Sequence, residues 1–455
     1  MNLFKSTDAE QTVLDEQKIV HEVGDSGVAT PVNESESSSD KPINDASNFP
    51  DGGTKAWLNV VGGWCIFFSM FGWANAFGVF QSYYQENQLK DYTAFQISWI
   101  SYAVPGPLYW RTFILFGGGI VAGKLYDNYG PKVLVYPGVF LHLFGMMMCS
   151  ISTEYYQFIL SQGVCTSIGD AALFTASLST ASTWFHKKRA FAFGILLTGT
   201  SIGGVVMPIC LEHLLKSLGF GWAIRVCTFI NLALLAIALP TVTSRLPPTP
   251  KPVSVMDHIR PLKEIPFLML SGGCALFYLG MYLPFNYIIV QAEYEGMSAA
   301  LAGYLIPILN GASLFGRIIP GKVADMIGRF NTMIAMCAFA GIIVLALWLP
   351  GTSNVPIIIF SALYGFASGA FISLIPPLTA QISDIREIGV RSGTLWLTVG
   401  IAALVASPIG GALEARDGGA FVGLQVFAGV TMLIGTGLFV IGRSYLAGRN
   451  LFAKV

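Results

Sequence analysis

Gly123-Lys124-Leu125-Tyr126-Asp127-Asn128-Tyr129-Gly130 recurs 198 residues later as Gly321-Lys322-Val323-Ala324-Asp325-Met326-Ile327-Gly328. Both copies read G-K-x-x-D-x-x-G, and each sits between two long apolar runs. A repeat at that spacing in a 455-residue chain implies two copies of one structural unit. The apolar flanks imply that the unit is withdrawn from water. Composition agrees, with 53% hydrophobic and 11% charged residues, where an ordinary soluble domain has about 25% charged. Mean hydropathy is +0.61, and the broad class is a polytopic membrane protein.

Apolar stretches long enough to cross about 30 Å of hydrocarbon as helices fall in two sets of six. The expected fold class is therefore all-α integral membrane, twelve transmembrane helices in two pseudo-symmetric six-helix bundles. Residues 57–243 form the N-terminal half and 264–443 the C-terminal half, joined by a Pro-rich, basic cytoplasmic linker over 244–263. Residues 1–56, where Asp and Glu outnumber Lys and Arg eleven to four, read as a disordered cytoplasmic tail without an apolar leader. Residues 444–455 read as a short cytoplasmic tail.

An arrangement with both termini inside places sixteen basic residues on inner loops and the C-terminal tail, and four on outer loops. Lys and Arg are retained on the cytoplasmic side of short loops, so both termini are expected in the cytoplasm, with the plasma membrane as the expected location. All seven cysteines lie in apolar runs without C-x-x-C spacing, which suggests neither a disulfide framework nor a metal site. The five histidines are scattered and no P-loop is present. The chain reads as a non-enzyme with no catalytic residues, no cofactor and no nucleic-acid partner.

The doubled motif, the two six-helix halves and the short loops resemble the major facilitator superfamily over residues 57–443. The resemblance implies two halves that rock about a site at the midplane. Asp51-Gly52-Gly53-Thr54-Lys55-Ala56-Trp57 and the run Trp184-Phe185-His186-Lys187-Lys188-Arg189 resemble the two signatures of its monocarboxylate-porter-like branch. Pro284-Phe285-Asn286-Tyr287 and Gly316-Arg317-Ile318-Ile319-Pro320-Gly321 look most like fungal members. The implied function is secondary active transport of a small organic anion, monocarboxylate-like, or of a polar metabolite, by alternating access. The alternatives are efflux of a fungal secondary metabolite by the same fold, or a non-transporting sensor derived from it. Expected partners are a small-molecule substrate, protons as candidate co-substrate, and the lipid bilayer; the oligomeric state is open.

Ionisable side chains at membrane depth are costly and mark pathways or partners; Arg111, Asp170 and Arg317 qualify. Arg317 matches the substrate-binding arginine of the resembled family, and its guanidinium offers a planar fork for a carboxylate. Where proton-coupled animal members carry an acid four residues earlier the chain has Ser313, and where they carry a lysine on span 1 it has Asn75. Substrate binding is therefore assigned to Asn75, Asn310, Ser313 and Arg317 through hydrogen bonds. Asp170 is the proton-coupling candidate, with pairing to a basic residue an equal alternative. Residues 103–111, with their Pro-Gly-Pro, look like an insertion relative to the equivalent span of the second half.

The repeated motif supplies the conformational-gating set: Gly123, Asp127, Gly130, Gly321, Asp325, Gly328 and Arg329. The two turns put Asp127 and Asp325 where each can accept hydrogen bonds from helix N-termini and hold the halves together on the cytoplasmic side; the alternative is that they are only tight cytoplasmic hairpins, with glycine for helix-end geometry. Gln81, Tyr278, Tyr282, Asn286, Tyr304 and Tyr364 are candidates to line a central cavity. The glycines spaced along spans 5 and 11 read as helix-packing positions.

Overall fold

The structure is a computed structural model that describes residues 49–88, 110–252, 254–448, 450 and 453–455. Every regular element among them is helical. Among the described residues, eleven helices are long and apolar enough to cross a membrane: α1 (Thr54–Phe80), α3 (Lys132–Cys149), α4 (Tyr155–Trp184), α5 (Arg189–Leu218), α6 (Phe220–Thr241), α7 (Ile265–Tyr294), α8 (Ala299–Ile327), α9 (Arg329–Trp348), α10 (Asn354–Gln381), α11 (Ile385–Arg416) and α12 (Val422–Ala447). The twelfth, α2, comprises Trp110–Gly117 and Gly119–Tyr129, which run on through Gly118 in helical geometry. Most of the stretch read as an insertion at 103–111 lies outside the described residues. Helices dominate because hydrocarbon offers no partner to backbone N–H and C=O groups, so each span satisfies its own.

The G-K-x-x-D-x-x-G copies, expected from sequence to be turns, are helical over most of their length. Helix α2 continues to Tyr129 and α8 to Ile327, and only the final glycine of each copy leaves the helix. Gly130 has φ 79° and Gly328 has φ 111°, a backbone region that a Cβ disfavours. Asp127 and Asp325 consequently ride on the last helical turns, where their side chains project sideways toward neighbouring helices. The side of the molecule that bears Gly130 and Gly328 is its motif face.

Helix neighbours repeat between the halves. In the first, α1 packs on α5 and α6, α4 on α2 and α3, and α3 on α6; in the second, α7 packs on α11 and α12, α10 on α8 and α9, and α9 on α12. The halves then meet along two equivalent seams, α2 against α11 and α8 against α5. Lipid gives no hydrophobic drive to pair helices, so close backbone approach through small residues does that work. Gly119 faces Gly393 and Gly123 faces Gly389, and a Cβ built on Gly123 collides with the Gly389 carbonyl. In the other seam a Cβ on Gly321 would lie 2.7 Å from the Ala190 carbonyl oxygen.

The linker has structure of its own, a short helix over Met256–Leu262. It lies across the α2–α11 seam: Lys124 Nζ of α2 donates to Asp257 Oδ2 at 2.6 Å, while His258 hydrogen-bonds Thr394 of α11 at 3.0 Å. Lys251 also donates to Glu387, at 2.9 Å. At the start of the chain's described part, Phe49 is buried beneath the guanidinium groups of Arg189 and Arg245.

Candidate functional site

Asn310, Ser313 and Arg317 are spaced to share one face of α8, and all three are buried against α5. Arg317 Nε donates to Ser313 Oγ at 3.2 Å, and Ser201 of α5 donates to the same oxygen at 3.5 Å. Asn75 ends the first segment of α1, its Nδ2 donating to the Phe71 carbonyl at 2.7 Å. Asn75 and Asn310 flank Gly204 of α5: a Cβ there would lie 3.1 Å from the Asn75 amide nitrogen and 3.7 Å from that of Asn310. The four residues assigned from sequence to substrate binding thus converge where α1, α5 and α8 meet. Asn75 is exposed at that three-helix junction.

Arg317 is 8% exposed and its Nη1 is buried without a hydrogen-bond partner. Among the described residues no carboxylate pairs with it, and Ser313 is its side-chain contact. Leaving such a donor unmatched costs about 1–3 kcal/mol or more for a charged group, a cost that an anionic ligand would relieve. Ser201 and Gly204 carry no sequence signal of their own; they sit in the glycine-spaced run of α5 that reads as packing alone.

The repeat allows a direct comparison of the two seams. By the 198-residue offset, Arg317 occupies the level of Gly119, Ser313 that of Leu115 and Asn310 that of Thr112. The α2–α11 seam carries aromatic rings at this level. Phe116 stacks on Trp396 with centroids 4.9 Å apart, Phe174 meets Trp396 edge-on at 4.9 Å, and Tyr278 meets Phe116 edge-on at 5.9 Å. Tyr278 in turn stacks on Tyr282 at 5.4 Å. Two positions related by pseudo-symmetry have diverged into a polar seam with an unmatched cation and an apolar, aromatic seam.

Of the other cavity candidates, Asn286 donates to Ser407 at 2.7 Å and Tyr364 donates to the Met281 carbonyl at 2.6 Å, both packing roles inside the second half. Tyr304 is 63% exposed beside the start of Leu305–Ile327. The Gln81 side chain lies outside the described residues.

Asp170 is buried in α4 and bonded on both oxygens. Arg111 Nη2 of α2 donates to Oδ2 at 3.1 Å, and His142 Nδ1 of α3 lies 2.6 Å from Oδ1. The alternative of a basic partner is realised, with Arg111 built into the bundle. His142 lies in the middle of an apolar span, unlike the histidines of the tail, loop and linker, and that depth is the sequence signal that could have found it.

On the motif face, Asp127 accepts from the Gly389 and Val390 nitrogens at the start of α11, both at 2.9 Å. Asp325 accepts from Ala190 at 3.1 Å and Phe191 at 2.9 Å at the start of α5. Each motif carboxylate therefore caps a helix of the opposite half, where the macrodipole favours negative charge. Arg329 donates to Asp325 and to the His186 carbonyl. Asp51 accepts from the backbone nitrogens of His186, Lys187 and Lys188 at 2.7, 2.7 and 3.2 Å, and Trp57 meets Phe185 edge-on at 5.4 Å. The two branch-type signatures are thereby one structural unit. Beside it a cleft of about 540 Å³ is lined by His186, Arg189, Asp325 and Arg329 among others. Burial and the nearby Arg189 and Arg329 charges push the His186 imidazole below its usual range.

Residues 62–407 match the family described as the Major Facilitator Superfamily. The chain belongs to the Major Facilitator Superfamily. A curated relative named MFS-type transporter 1, from Ophiocordyceps sp. (strain BCC 1869), is 49% identical over 416 residues, 91% of each chain. The protein named Fujikurins efflux protein, from Gibberella fujikuroi, is 42% identical across 88% of this chain and 85% of its own. Among solved structures, the Escherichia coli fucose:proton symporter superposes with TM-score 0.68 at 15% identity, covering 84% of this chain and 98% of that one, a likeness of fold. As a superfamily member the chain is an integral, multi-pass membrane transporter, and no catalytic family is indicated. The names of these relatives speak of transport and efflux, and neither carries a monocarboxylate label.

Proposed function

We propose that this transporter exports an amphipathic secondary metabolite bearing an acidic group from the cell that makes it. The observation that carries the reading is the buried, unmatched guanidinium of Arg317 in the polar seam, opposite an aromatic seam at the same level. One suits a carboxylate or comparable anion and the other a flat apolar body. The efflux names of relatives support the outward direction better than uptake of a simple monocarboxylate. The absence of an ionisable group at Asn75 and Ser313 supports the same preference. The sixteen-to-four distribution of basic residues supports cytoplasmic termini and a cytoplasmic motif face in the plasma membrane. In this reading Asp127, Asp325 and Arg329 hold the cytoplasmic side closed, and Asn75, Asn310 and Ser313 line the approach to Arg317.

Comparative metabolite profiling of a deletion strain and its parent tests the direction. A compound that gathers in the cells and disappears from the medium is expected; unchanged partition of every compound overturns efflux. With that compound as probe, Arg317→Lys tests the fork. Lysine keeps the charge but cannot form two parallel bonds, so transport should fall at least tenfold at equal surface abundance. Wild-type affinity in Arg317→Lys removes Arg317 from substrate recognition.

A further inference from the structure

Three helices of the first half bring Arg111, His142 and Asp170 together in a cluster that the substrate site does not use. The side chains are 6%, 0% and 2% exposed, so the group is closed to bulk water. A carboxylate can only accept, so the imidazole proton sits on Nδ1 and points at Oδ1. Nε2, on the far side of the ring, is buried without a partner. In the neutral Nδ1–H tautomer Nε2 carries a lone pair.

We propose that His142 Nε2 is a proton-binding site of this transporter, with Asp170 as its fixed counter-charge and Arg111 as the rival for that charge. Asp170 offers one negative charge to two groups able to be positive. In the present state Arg111 takes it and the cluster is neutral overall. Proton uptake adds one H⁺ from water to the Nε2 lone pair, the Nδ1–H stays on Oδ1, and the cluster gains one positive charge. Release to water reverses the step without any other bond changing.

The position of Arg111 links the step to the halves. It lies on α2, whose next turns carry Phe113 and Phe116 against Gly400 of α11 and then Gly119 against Gly393. A parting of this seam that admits water to the guanidinium would weaken its hold on Oδ2 and leave the carboxylate to the imidazole. Among the described residues, the other ionisable groups on the helices packed around α3 are engaged elsewhere, beginning with Asp127 of α2, which accepts from the Gly389 and Val390 nitrogens. Cys165 of α4 donates to the Leu141 carbonyl at 3.5 Å, and Lys124 of α2 is held by Asp257. On α6, Cys227 is buried, and Arg225 donates to Ser150 just beyond the far end of α3 at 3.4 Å. None supplies His142 with a second counter-charge.

This assigns the proton to the imidazole rather than to Asp170, and it rests on the transporter reading only for its link to the cycle. The test needs no substrate. Side-chain nitrogen NMR of the full chain, labelled at its five histidines and embedded in lipid nanodiscs, reads each imidazole between pH 8 and pH 5, with His142→Gln assigning the signal. The expected result is a His142 signal that passes from the Nδ1–H form to the doubly protonated form as pH falls, and that loses this transition in Asp170→Asn. A His142 that stays neutral throughout, or that titrates alike in Asp170→Asn, overturns the proposal. Should Asp170→Asn fail to fold, Arg111→Gln decides: the imidazolium fraction at a given pH should rise several-fold, and an unchanged fraction rejects the competition. An efflux reading that fails would leave these spectra as they are.

Discussion

Asp127 on the last turn of α2 and Val390 on the first turn of α11 belong to different halves, yet the carboxylate accepts a 2.9 Å hydrogen bond from the Val390 nitrogen. Asp325 and Phe191 repeat the relation at 2.9 Å across the other seam. Hydrogen bonds to charged groups contribute about 1.5–3 kcal/mol each. Asp127→Asn removes the charge and turns an N–H donor toward other donors, so the closed motif face should lose roughly 1.4 kcal/mol, about tenfold in its population. Distances between spin labels placed on either side of the α2–α11 seam measure this. An unchanged distribution in both Asp127→Asn and the double variant with Asp325→Asn would remove the two carboxylates from closure.

Gly123→Ala should act through sterics alone. Its Cβ meets the Gly389 carbonyl, whereas a Cβ on Gly311 meets nothing within 4 Å. Normal membrane insertion with a wider seam and transport reduced at least tenfold is expected for the first, and wild-type behaviour for Gly311→Ala. Equal transport by both variants would show that the seam need not close so tightly.

Asp51 accepts three backbone hydrogen bonds from the loop before α5. By analogy with helix N-caps, Asp51→Ala should destabilise by about 0.5–2 kcal/mol. Thermal unfolding of the purified protein reads the loss. An unaltered unfolding temperature would mean that the loop holds its shape without this carboxylate.

Burial and the Lys124 charge, only partly offset by Asp257, hold the His258 imidazole below its usual range. The folded linker therefore binds this proton less readily than the unfolded chain does. The stability involved is complete above pH about 6.5 and declines as pH falls below it. Between pH 7.5 and 5.5 the wild type should lose more thermal stability than His258→Gln, and identical losses would exclude His258.

Much of the architecture is legible in the sequence because each of its determinants is local. Twelve apolar runs, a duplicated motif and biased loops need no knowledge of which helices touch. The convergence of Asn310, Ser313 and Arg317 is legible for the same reason, since helical periodicity puts them on one face. Partners across long separations are not. Nothing near Asp127 names Gly389, and nothing near Asp170 names His142 or Arg111. The shape of the motif is less legible, because its glycines suggest helix ends. In a membrane an interior glycine instead serves close packing, and only the left-handed Gly130 and Gly328 end their helices.

The linker helix crosses one seam and not the other. Contacts from Lys124, His258 and Lys251 tie α2, linker and α11 into a single bound edge, while the α5–α8 edge is fastened by the Asp325 and Arg329 side chains next to an open cleft. More contacts therefore have to be broken to part the α2–α11 edge than to part the α5–α8 edge, although both seams are held by motif carboxylates. The two edges then differ in mechanical stiffness, and the α5–α8 edge, which bears Arg317, should be the more compliant of the two.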